Sequence, residues 1–177
     1  MSLKRNQLLN IILLLYIVIS VTVLYFDLGN TRVGLAFSTL VAKAVPSILP
    51  TAAITQMHYS SAFILALSWV MVILGTLAML LIANWKAIDY EAIYKKISWW
   101  VILGIFVIMP SVSMFMMHHS PDESGMYNRF LYSSLKEFKL FVILYGAGIW
   151  LSFSAGLFSI IFISKCIFSK TLKKDKS

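Results

Sequence analysis

Charge is scarce in this sequence, and the places where it is missing say more than the shortage itself. Only 12% of the 177 residues are charged and 60% are hydrophobic, against about a quarter charged and about half apolar in a water-soluble domain. Four runs, at 8–26, 62–83, 99–117 and 140–164, contain no Asp, Glu, Lys or Arg. That pattern excludes an ordinary soluble globule. It also argues against transport, pumping and intramembrane catalysis, which place ionisable groups inside the hydrocarbon. Cysteine is almost absent too. The single Cys166 excludes an internal disulfide framework and the cysteine pairs that quinone-linked thiol oxidation needs. No internal repeat is visible, which weighs against a transporter built from repeats. No zinc-finger or RNA-binding spacing accompanies the positive charge, so nucleic acid is not the expected partner.

What is present is membrane architecture. Each apolar run approximates the 20 or so residues that a helix needs to cross hydrocarbon with its backbone groups bonded internally. The sequence predicts an all-α, polytopic membrane protein: four transmembrane helices bundled in one membrane domain over residues 1–177. Lys4 and Arg5 before the first run resemble a secretory signal, but the run is too long and no small-x-small site follows it, so an uncleaved span is expected. Of the 15 basic residues, ten lie at the termini and in the middle loop and five in the other two loops. The positive-inside bias therefore places both termini in the cytoplasm. The flanking aromatics agree, with Trp85, Tyr94, Trp99 and Trp100 at the inner edge and Tyr25, Tyr59, Tyr127 and Tyr132 near the outer one. The basic tail, Lys170 to Lys176, suits anionic lipid headgroups.

The first outer loop, 27–61, is too apolar for a segment bathed in water. Val33, Phe37, Leu40, Val41, Ala44 and Val45 recur at helical spacing, which predicts a short interfacial or re-entrant helix ended by Pro46 and Pro50. In the middle loop, Glu91 and Lys95 stand four apart, as in a short helical extension. Pro110 lies within the third run, where it removes a backbone donor and should kink the helix.

Two constellations stand out. In the fourth run Gly148, Ser152 and Gly156 form a small-residue stripe along one helical face, which lets another helix approach closely. That helix is a span of the same bundle, a foreign transmembrane helix or, by self-association, a second copy. Between the third and fourth runs, Met114, Met117, His118 and His119 offer thioether and imidazole groups of the kind copper takes. Methionine is also ordinary apolar filling, and adjacent histidines do not share a helical face, so no metal or cofactor is expected. No nucleophile, base and orienting group recur together, so no catalytic residue and no enzyme is expected either. Ser120 to Gly125 has turn chemistry. Tyr127, Arg129, Phe130 and Tyr132 come next, the aromatic and arginine types that anchor interfaces.

The layout resembles the immunity proteins that protect bacteria against pore-forming colicins of the A and B type. Ala44, Val45, Pro46, Ser47 and Ile48 look like the Leu-Pro-Ser-Ile element of that family's first outer loop, and the run from Leu140 to Tyr145 resembles the start of its fourth span. The family's Leu-Thr-Thr-Ala-Gly element is missing. The resemblance implies a multi-pass protein of the bacterial inner membrane that meets a pore-forming toxin within the bilayer and blocks its opening, with no enzymatic activity. Alternatives are an exclusion protein that blocks conjugation, a copper-handling membrane protein and an accessory subunit of a larger complex. A tag after Ser177 is expected to yield to protease only once spheroplasts are opened, and a tag inserted at Pro121 without opening them. The reverse pattern would invert the topology.

Overall fold

The computed structural model describes residues 3–85, 88–89, 92–93, 96–122 and 126–174, the side chains of 3–6, 126–127 and 168–174 excepted. These residues are mostly helical, with no strand among them. The main helices are α1 (Leu3–Tyr25), α2 (Arg32–Ala42), α3 (Ile48–Ile54), α4 (His58–Ile82), α5 (Trp99–His118), α6 (Met126–Glu137) and α7 (Phe141–Lys174). Four of them are long and apolar enough to cross a membrane, over Gln7–Tyr25, His58–Ile82, Trp99–His118 and Phe141–Ile167. The chain is a multi-pass membrane protein, and these spans fall within a few residues of those expected. The middle-loop pair of Glu91 and Lys95 lies outside the described residues.

Three spans make the core: α1, α4 and α7. Lipid tails are as apolar as leucine, so burying leucine between helices gains little in a bilayer, and close backbone approach with interhelical hydrogen bonds has to supply the attraction. The contacts obey that rule. The Tyr16 hydroxyl of α1 lies 3.0 Å from the Ser68 hydroxyl of α4 and 3.2 Å from the Ile143 carbonyl of α7. Ser154 of α7 donates to the Val72 carbonyl of α4 at 2.9 Å. Gly146 sits against Ser68 and Tyr16, and Gly75 against Ser154 and Trp150, so a methyl group at either glycine would meet the neighbouring helix. Trp150 is fully buried, its ring tilted against Tyr16, while Trp69 and Phe153 stack at 5.2 Å.

The loop from Phe26 to Met57 folds onto α4 as two short helices. Asp27 turns the chain with a left-handed backbone, φ 48°, a conformation Asp tolerates better than most, and its carboxylate accepts the Ser60 hydroxyl at 2.6 Å. Thr31 caps α2 by accepting the Gly34 amide at 3.1 Å. The expected helix is present and stops before Pro46. Two details differ from what the sequence predicts. Pro50 does not end a helix but lies in the first turn of α3, where a missing N–H costs nothing. The side of α2 turned inward carries buried Gly34 and Ser38, with Val33 and Leu40 well exposed. The periodic apolar residues are divided, with Phe37, Val41 and Val45 against the core and Val33 and Leu40 turned outward, because the surroundings are themselves apolar.

Gly146→Ala is expected to lower stability by about 1–3 kcal/mol through overpacking, whereas Gly148→Ala, with no atom within 4 Å of the added carbon, should leave it unchanged. Thermal unfolding in detergent compares the two, and equal midpoints would refute the packing of α7 described above.

Candidate functional site

The third span stands apart from the core. No residue of α5 is buried. Its path is irregular: Gly104–Ile108 forms a π-helical turn, with the Met109 amide bonded to the Gly104 carbonyl, just before Pro110. A proline inside a helix removes a donor and crowds the preceding turn, and a π turn is a known way for the backbone to absorb such a break. Ser111 and Ser113 return their hydroxyls to the Val107 and Met109 carbonyls at 2.8 Å, covering carbonyls of the disturbed stretch.

Half-buried Met116 and Met117 of α5 pack against the core, and two further attachments hold the span to the bundle. At its C-terminal end Ser47, in the link between α2 and α3, donates its amide to the Met117 carbonyl at 3.0 Å and its hydroxyl to the Met116 carbonyl at 2.8 Å. These carbonyls belong to the last turn of a helix, which has no partners of its own. Further along, the Met109 methyl rests against Gly156 of α7.

Between these attachments α5 and α7 diverge and leave a groove of about 430 Å³, lined among others by Val112, Met116, Gly148, Ile149, Ser152 and Phe153. Leu131 of α6 and Phe141 close it on the side of the α6–α7 connection. The small-residue stripe is thus divided. Gly156 packs against another span of the same protein, while Gly148 and Ser152 are exposed in the groove. The glycines and serines that bring the core helices together are others, Gly75, Ser68, Gly146 and Ser154. In the sequence Gly146 is two residues from Gly148 and gives no sign of the difference; the positions of Tyr16 on α1 and Ser68 on α4 separate them.

The remaining candidates belong to α6, a helix and not an irregular loop. Arg129, Tyr132 and Lys136 recur at three- and four-residue intervals and share one side. Arg129 and Phe130 are exposed and Tyr132 is half-buried, while Leu135 is fully buried. The Lys136 ammonium stands 5.6 Å from the centre of the Tyr132 ring. Phe130 meets Phe141 edge to face at 6.4 Å. The side chain of Tyr127 lies outside the described residues.

The methionine and histidine candidates do not converge. Met114 and His118 point outward, while Met117 packs partly against the core. His118 Nδ1 lies 2.9 Å from the Met114 carbonyl and His119 Nδ1 lies 3.1 Å from that of Phe115. Since a carbonyl only accepts, Nδ1 is the donor wherever either bond is made. The His119 ring also stacks on Phe115 at 4.2 Å. Among the described residues no three of His, Cys, Asp and Glu gather as a metal-binding group. No known protein family matches this chain, and neither a curated protein nor a solved structure does.

Ser47→Ala removes one of the two bonds at the end of α5 and should let that span move. Spin labels at Val107→Cys and Leu157→Cys, in a Cys166→Ser background, are expected to give a broader distance distribution when Ser47→Ala is added. An unchanged distribution would show that the Ser47 hydroxyl does not hold the span.

Proposed function

We propose that this protein is an immunity-type protein of the bacterial inner membrane, which binds a pore-forming bacteriocin within the bilayer and keeps its channel closed. The observation that carries the reading is the groove between α5 and α7, where Gly148 and Ser152 are left open on a helix whose opposite side packs against α1 and α4. A residue without a side chain lets a foreign helix bring its backbone near, and a neighbouring hydroxyl offers it a hydrogen bond. The four charge-free runs support a binding role over transport or chemistry. The layout shared with immunity proteins supports the same role.

The mechanism needs no reaction. A toxin channel opens when its apolar helices rearrange in the membrane, and a protein that binds only the closed arrangement shifts the population by its difference in affinity, tenfold for about every 1.4 kcal/mol. The toxin's helix would lie along Gly148 and Ser152, and α5 would move aside to admit it. Arg129, Phe130 and Tyr132 on α6, with Tyr127 at its start, would select the toxin as it reaches the membrane.

Expression in a sensitive bacterium challenged with a panel of pore-forming toxins tests the proposal. Protection against at least one toxin is expected, and its loss by at least about tenfold in Gly148→Leu/Ser152→Leu at unchanged protein level. Failure against every toxin would remove the immunity reading. Full protection by the double variant would move the docking face away from this groove.

A further inference from the structure

Two lateral grooves run between spans, and they differ in what stands beside them. The groove between α1 and α4, about 440 Å³, is walled chiefly by leucine and isoleucine, among them Leu8, Ile12, Leu74 and Leu81. The groove between α5 and α7 ends under α6, whose Leu131 lines it. The segment 126–139 carries Arg129, Lys136 and Lys139 against Glu137 alone, a balance of three positive charges to one negative. All three cations are exposed. Gln56 bonds to the carbonyls of Lys136 and Glu137, which uses the backbone and leaves the ammonium of Lys136 to the Tyr132 ring. Around them Phe130, Phe138, Leu140 and Leu144 are each more than 60% exposed. Large apolar side chains turned outward beside cations mark a segment at the boundary between hydrocarbon and headgroups.

We infer that the α5–α7 groove and the cations of α6 and of the turn after it together form a site for one anionic phospholipid, with an acyl chain in the groove and the phosphate on Arg129, Lys136 and Lys139. The groove has the volume of a small-molecule site. Its walls of Val112, Leu144, Ile149 and Phe153 suit a hydrocarbon chain, and the open Gly148 admits the chain to backbone contact. The headgroup meets cations at the level where the flanking phenylalanines place the interface, and each basic side chain near an anionic surface adds to the attraction. A lipid fits better than an acidic protein segment because the groove opens sideways among exposed apolar side chains. This inference does not depend on the immunity reading, since it concerns the protein without any toxin.

Native mass spectrometry of the full chain released from micelles tests it, with dioleoyl phosphatidylglycerol and dioleoyl phosphatidylcholine titrated separately. One tightly held adduct is expected, favouring phosphatidylglycerol by at least about tenfold. Arg129→Gln/Lys136→Gln/Lys139→Gln should bring the two lipids to equal affinity while keeping the adduct. Gly148→Leu/Ser152→Leu should weaken both lipids, with an unchanged thermal midpoint confirming the fold of each variant. Arg32→Gln/Lys43→Gln, which removes the two cations of the first loop, should leave the preference intact. The inference is overturned by a wild type without preference, by a preference that survives the triple substitution or falls equally in the first-loop control, or by a second copy or a peptide occupying the groove in place of lipid.

Discussion

The structure depends on backbones coming close together in a solvent that gives apolar side chains no reason to associate. Tyr16, Ser68, Gly146 and the Ile143 carbonyl meet where three helices converge, and Gly75 meets Ser154 farther along. Both places combine a missing side chain with a hydroxyl that has somewhere to donate. Ser68 and Thr76 also bond to carbonyls one turn back on their own helix, at 2.7 Å each. Their polar atoms are thus satisfied whether or not a neighbour is present. Among the described residues the Ser20 hydroxyl and the Trp150 indole nitrogen are buried without a hydrogen bond.

The third span shows how a helix sits in the bundle when this constraint is left unmet. A carbon added at Gly104 would meet nothing within 4 Å, and no residue of the run around it is buried. The span's contacts with the rest include Met109 against Gly156, Met116 and Met117 against the core, and two hydrogen bonds from Ser47. Those bonds reach a helix end, where the carbonyls need partners in any case, so the attachment serves the span as much as the bundle. The same loop that folds onto α4 thereby positions α5, and through it the width of the groove.

The spans were legible because length, apolarity and absence of charge are properties of the chain and not of its neighbours. The α2 helix was legible from the spacing of its apolar residues. Which of those residues point inward was not. In water the apolar side is the buried side, but here Val33 and Leu40 face out while Phe37 and Val41 pack inward beside buried Ser38, so periodicity alone does not choose between them. The stripe of Gly148, Ser152 and Gly156 was visible as a pattern, yet its division between a packed end and an open end depends on where α5 lies. The divergence of α5 and the clasp at Ser47, a hydrogen bond across 69 residues of sequence separation, left no local trace. The turn expected from Ser120 to Gly125 lies partly outside the described residues.

The pairing of α4 with α7 has a consequence for how the chain is built. During synthesis α4 enters the bilayer well before its chief neighbour exists, because α5 and α6 must be made first. While it waits, the hydroxyls of Ser68 and Thr76 are occupied by carbonyls of their own helix, so α4 can sit alone in lipid without an orphaned polar atom at either position. A loosely attached α5 is then useful during assembly. It leaves the lateral approach to α4 clear, so that the last helix can arrive beside a neighbour inserted two spans earlier.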